Sequence, residues 1–174
     1  MEESVAFGSV QYWVMLALLV FARGMDFLST WIATPNLLLE ANPIARKLGW
    51  RWGAVFNAVI CVLAAAWTLA AIVVSTTSLL VAARNFKSAW FMRVLGEDRY
   101  RAWVGDLIDQ AGIRTQLVCL LGETSLTAFI GAAVVYFGWN HLVLLSIGVG
   151  IVAYAGAVAF YTLLSLWRSR SRIG

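Results

Sequence analysis

Four long stretches of this chain carry almost no charge, and each is long enough to cross a bilayer as an α-helix. A hydrocarbon core of about 30 Å needs roughly 20 apolar helical residues. The stretches are residues 10–33, with Arg23 and Asp26 inside; 53–83, uncharged; 117–137, with Glu123; and 142–167, uncharged. The expected fold is therefore all-α: one integral membrane four-helix bundle over residues 1–174, with no detachable soluble domain. Composition agrees, since 61% of residues are hydrophobic and 13% charged, whereas soluble domains carry about a quarter charged residues.

The net charge of +4 does not point to nucleic acid, because the basic residues flank apolar spans. Orientation and anionic lipid explain them better. Cys61 and Cys119 lie in apolar runs and read as small packing residues. With one histidine, His141, a zinc site of imidazole and thiolate is excluded as a working idea. No basic residue precedes the first span, unlike a cleaved signal peptide, so that span is read as retained.

Four crossings put both termini and the 84–116 segment on one side. That side holds Arg84, Lys87, Arg93, Arg99, Arg101, Arg114, Arg168, Arg170 and Arg172, against Arg46, Lys47 and Arg51 on the other. The excess predicts a cell-membrane protein with both termini cytoplasmic. Within residues 84–116, Phe86, Trp90 and Val94, then Tyr100, Trp103, Val104, Leu107 and Ile108, follow helical spacing, and Gly112 is a natural stop. This segment reads as an amphipathic helical loop on the cytoplasmic membrane surface, between spans two and three.

At about 100° per residue, each span shows one small or polar face. These are Arg23, Asp26, Thr30 and Thr34; Asn57, Cys61, Thr68 and Ser75; Cys119, Glu123 and Thr127; and Ser146, Gly150, Ala153 and Ala157. Such faces pack inward in lipid, although the Ser146/Gly150 stripe also suits a homo-oligomer or a membrane partner subunit. Trp13, Trp31, Trp50, Trp52, Trp139 and Trp167 lie near span ends and suit interfacial anchoring.

Charges inside a membrane are costly and are paired or functional. Arg23 and Asp26, three residues apart, are placed to form a local ion pair. Under the four-span topology, Asp26, Asn57, Asn140, His141 and the loop Glu40-Ala41-Asn42-Pro43 collect at the extracytoplasmic end. Glu123 falls near the opposite end, where Ser75, Thr76, Thr77 and Ser78 are available to satisfy it. Pro35 should end the first span, and Pro43 with Asn42 as its cap should begin a new helical turn.

Asp26-Phe-Leu-Ser-Thr30, followed by Glu40-Ala-Asn-Pro43 and Gly49-Trp50, resembles a pattern of the DUF5658-like small bacterial membrane proteins, over about residues 20–60. The resemblance singles out Asp26, Thr30, Glu40, Asn42 and Pro43 and implies a membrane protein, with no reaction attached.

Three functional readings stand side by side. In the first, Asp26, Thr30, Glu40, Asn42, Asn57 and His141 form a site for an ion, a lipid or a partner subunit, and the oxygen donors suit a hard divalent cation such as magnesium or calcium. In the second, a membrane enzyme acts on a lipid or peptide, with Asp26 or Glu40 as general base and His141 as its partner. In the third, an oligomer forms a transporter or channel lined by Asp26 or Glu123. The first is the favoured expectation.

Overall fold

The computed structural model describes residues 4–170, with side chains through Trp167. Among these residues the chain is all-helical: α1 (Val10–Ala33), α2 (Pro43–Ala64), α3 (Thr68–Leu95), α4 (Glu97–Phe137) and α5 (Leu142–Arg170). All but α2 are long and apolar enough to cross a membrane.

Local chemistry sets several boundaries. Ser9 caps α1, its Oγ accepting the Tyr12 N–H at 3.2 Å. α1 ends at Ala33, two residues before Pro35; a proline lacks the N–H to continue a helix. α2 starts on Pro43, where Asn42 Oδ1 accepts the Ile44 N–H at 3.0 Å and Glu40 Oε1 accepts the Asn42 N–H at 2.8 Å. The Asn-Pro pair thus acts as its sequence implies.

The uncharged stretch 53–83 is not one span. It breaks at Ala65–Trp67 into the end of α2 and the start of α3. No glycine or proline marks this break, and Ala64, Ala65 and Ala66 favour helix. Tertiary contacts override that preference. The Val5 N–H donates to Ala66 O at 2.8 Å, Ser4 bridges to Trp67, and Gln11 Nε2 donates to Thr68 Oγ1 at 3.1 Å. Val5, Tyr12, Leu19, Cys61, Ala65 and Ala71 form a buried cluster around this reversal.

Residues 84–116 are helical on both sides of Gly96: α3 continues to Leu95, and α4 starts two residues later at Glu97. Gly112 interrupts the helix as expected; its backbone sits at φ 72°, ψ 149°, and a second helical stretch of α4 begins directly after it. Only glycine takes that conformation without strain. The expected span 117–137 lies wholly within α4.

The contacts fix the course of the chain. α2 runs back along α1, since Gly53 lies against Phe27, Asn57 against Arg23, and Val62 O against Tyr12 Oη. α3 runs parallel to α1, through Gln11–Thr68, Arg23–Ser78 and Thr30–Asn85. α4 and α5 form a close antiparallel pair: Gly138 meets Leu144, Gly148 meets Val135, and Gly131 meets Val152. α5 joins α3 at Gly150, whose carbonyl accepts from Thr77 Oγ1 at 3.0 Å. One end of the bundle therefore gathers residues 4–9 and the turns 65–67 and 138–141. The other gathers loop 34–42, the α3–α4 junction and the C-terminal part of α5. With the extra reversal at 65–67, the N-terminal segment and the end of α5 lie at opposite ends, not at the same end as four crossings required.

The expected inward faces are met in part. Ser146 and Gly150 are buried, Ser146 Oγ donating to Leu142 O of its own helix and Gly150 lying against α3, whereas Ala153 is exposed. Cys61 is buried as expected, but Cys119 is exposed. Trp50 donates its Nε1 to Pro35 O at 2.8 Å, bracing the loop after α1. Large apolar groups such as Phe21, Phe129 and Phe160 point outward, as a bilayer solvent requires.

Candidate functional site

Arg23 sits just past the middle of α1 and is held on three sides. Its Nη1 donates to Asp26 Oδ2 at 3.0 Å and to Ser78 Oγ at 3.1 Å. Its Nε donates to Asn57 Oδ1 at 2.6 Å, and Nη2 reaches the same oxygen. Asn57 in turn donates Nδ2 to Gly53 O at 2.7 Å. A charge this deep needs its hydrogen bonds satisfied, and α1, α2 and α3 each supply one acceptor. The local ion pair expected from the spacing is present, and it belongs to a larger network.

Asp26 has a second face. Among the described residues, Arg23 holds one of its two oxygens. The carboxyl group borders a cavity of about 740 Å³ between α1, α2, α3 and α5, with Tyr100 and Val104 of α4 also on its wall. Five of the six ligand-binding residues expected from sequence line it: Asp26, Thr30, Glu40, Asn42 and Asn57. Arg23 joins them, and Phe27, Leu48, Phe56, Val81, Met92 and Val158 make much of the wall apolar. Glu40 enters from the 34–42 loop. Burial pushes its carboxyl group above the ordinary glutamate value, opposed by the backbone N–H groups of Asn42 and Ala41.

His141 is not part of this site. It is exposed in the turn before α5, at the other end of the bundle. Ala157, the first α5 residue on the cavity wall, is 16 positions further on, or roughly 24 Å of helix. The proposed acid–base partnership of His141 with Asp26 or Glu40 has no geometric basis. Glu123 also lies outside this cavity. It pairs with Arg84 Nη1 at 2.8 Å, not with the hydroxyls of residues 75–78. Ser78 serves Arg23 and Thr77 bonds Val73 O and Gly150 O, while the buried Ser75 Oγ has no hydrogen-bond partner among the described residues.

Sequence reading missed Asn85 and Glu97, and assigned Ser78 to Glu123 when it serves Arg23. Asn85 Nδ2 donates to Ser29 Oγ and Thr30 Oγ1, both at 3.3 Å. Ser78 and Asn85 are seven residues apart and so share a helix face, a signal hidden by ending the span at residue 83. Glu97 is buried, and its two oxygens accept the N–H groups of Asn36 at 2.8 Å and Leu38 at 2.9 Å. Between them Leu37 adopts φ 57°, a left-handed conformation costing a non-glycine residue roughly 1–2 kcal/mol. Glu97, with Arg101 reaching Leu38 O, fastens α4 to the loop that presents Glu40. No local pattern could have announced a contact across some sixty residues.

A hydrogen-bond inventory says what the cavity wants. Its strong donors are largely spent inside the protein: Arg23 on Asp26, Asn57 and Ser78; Asn57 Nδ2 on Gly53; Asn85 Nδ2 on Ser29 and Thr30. The capacity left over is mostly acceptor, on the Asp26 and Glu40 carboxyl groups. Among the described residues there is no group of three or more His, Cys, Asp or Glu side chains placed to hold a metal ion. Calcium takes six to eight oxygens, and the Arg23 guanidinium already occupies the cation's place beside Asp26. Ser29, beside Asp26 in its helix, is buried and donates to Asp26 O at 2.9 Å. Comparison of the chain with family models, curated proteins and solved structures returned no match.

Proposed function

We propose that the protein is an integral membrane binding protein whose cavity takes an amphipathic ligand with a donor-rich, cationic head, such as an aminolipid. The observation that carries this reading is the pairing of two carboxyl groups, Asp26 and Glu40, with an apolar wall in one cavity of about 740 Å³. An ammonium group supplies three N–H donors and a compact positive charge. It would sit between Asp26 and Glu40, with its acyl or alkyl part along Phe27, Phe56 and Val158. Cavities of this size and makeup are usual for small ligands.

The test is binding to delipidated protein in micelles, read by native mass spectrometry and calorimetry. Phosphatidylethanolamine or dodecylamine should bind, and phosphatidylglycerol should not bind at this cavity. E40Q and D26N should each weaken amine binding about tenfold or more, because a charge-assisted hydrogen bond contributes about 1.5–3 kcal/mol. Equal affinity of wild type and E40Q for dodecylamine would overturn the reading.

We further propose that the cavity opens toward the cytoplasmic face of a cell membrane, with the N-terminus outside. The support is charge. Arg46, Lys47, Arg51, Arg84, Lys87, Arg93, Arg99, Arg101 and Arg114 all fall toward the cavity end, and residues 4–9, 65–67 and 138–141 contain no lysine or arginine. Nine against none is a stronger bias than the nine against three of a four-span course. Single cysteines in a cysteine-free background settle it. A cysteine at Ser4 should react with an impermeant maleimide in intact cells, and one at Lys47 only after lysis. The reverse pattern would overturn the orientation.

A further inference from the structure

A second cavity, of about 820 Å³, lies at the α3–α4 junction and shares only Arg84 and Tyr100 with the lining of the first. Its lining includes Arg84, Lys87, Trp90, Tyr100, Trp103 and Glu123. Arg84 and Glu123 neutralise each other at 2.8 Å, which leaves Lys87 as the unbalanced charge. Lys87 is exposed and has no ion pair among the described residues. It stands 19 residues beyond Thr68, or roughly 28 Å along α3, close to the far boundary of a hydrocarbon core about 30 Å thick. At that boundary Trp90 and Trp103 are 65% and 41% exposed, so their rings are open to a neighbouring molecule. Phe91 stacks edge-on against Trp103 with centroids 4.9 Å apart, which fixes the aromatic side of the cavity.

We infer that this cavity is a headgroup site for an anionic phospholipid. Lys87, with the outer edge of Arg84, would take the phosphate, the indole rings would lie at glycerol depth, and the acyl chains would descend along the outside of α3 and α4. A lone positive charge, amphipathic rings and an open lipid-facing side at the depth of the phosphates all match this occupant. A soluble phosphate compound would use the same cation but leave the aromatic and apolar wall unfilled. The two sites are separable by test: Lys87 lines only this cavity, Asp26 and Glu40 only the other, and the preferred headgroup charges are opposite, although Arg84 and Tyr100 border both.

The experiment is thermal unfolding of delipidated protein in neutral detergent, titrated with phosphatidylglycerol, phosphatidylcholine or glycerol phosphate. Wild type should bind phosphatidylglycerol about fivefold more tightly than phosphatidylcholine, the value of one cation near a membrane surface, and should not respond to glycerol phosphate. K87Q should lose that preference, whereas K87R and the distant R46Q should keep it. A preference that persists in K87Q, one lost equally in R46Q, or a full response to glycerol phosphate would each overturn the assignment.

Discussion

Replacing Arg23 by methionine should destabilise the folded protein by about 3–5 kcal/mol, the cost of leaving one member of a buried ion pair alone. The guanidinium joins three helices at once, to Asp26 on its own helix, Asn57 on α2 and Ser78 on α3. The Arg23 and Asp26 side chains are only 25% and 18% exposed, and both border the cavity between the helices. Without Arg23, the Asp26 carboxylate loses its counter-charge and Asn57 its donor. R23K should rescue only in part, because a lysine is a point charge and cannot fork to Asn57 and Asp26 together. R23M/D26L should recover most of the loss, since removing both charges relieves the burden of keeping either from water. Unfolding in mixed micelles with increasing denaturing detergent would give these differences. A loss below about 1 kcal/mol in R23M would mean that the network is hydrated and weak.

The membrane class of the chain was legible from apolar run length alone, because no soluble domain offers burial for so many large side chains. Its course was not. The clue was present in the 53–83 stretch, whose 31 uncharged residues would make a helix of roughly 46 Å, half again the thickness of the hydrocarbon core. Such a run accommodates either one tilted helix or two segments with a reversal. The choice was made by residues 4–12, which pair with the turn from some sixty positions away. Missing this reversal inverted the side on which every later segment falls. The five residues still line one cavity for a local reason: Asp26 and Thr30 share a helix face, and Asn42-Pro43 returns the chain beside them, which brings Glu40 and Asn57 to the same wall. His141 lacked any such tether, and counting one reversal of the chain too few was enough to misplace it.

Gly148→Leu should separate α4 from α5 and lower stability by about 3 kcal/mol, at the upper end of overpacking penalties. A Cβ at Gly148 would lie 2.7 Å from Val135 Cγ2, 2.7 Å from the Val135 backbone N and 2.9 Å from Gly131 O. The opposing Gly131 is equally tight, at 3.0 Å from Gly148 O. Two of the obstructing atoms at Gly148 are backbone, so rotamer changes cannot relieve them and the whole helix must move. Helix association within lipid depends on this close approach, because burying apolar groups from lipid gains nothing. Gly156 is the control. A Cβ there meets nothing within 4 Å, so G156A should gain up to about 1 kcal/mol from helix propensity, whereas G148A should lose stability despite the same propensity gain. α5 also remains tied to α3 through Thr77 and Gly150, which leaves the cavity wall at Ala157 and Val158 in place. The folded fraction of G148A should therefore keep its affinity for dodecylamine while its unfolding midpoint falls. Equal midpoints for G148A and G156A would show that the α4–α5 contact is looser than these distances require.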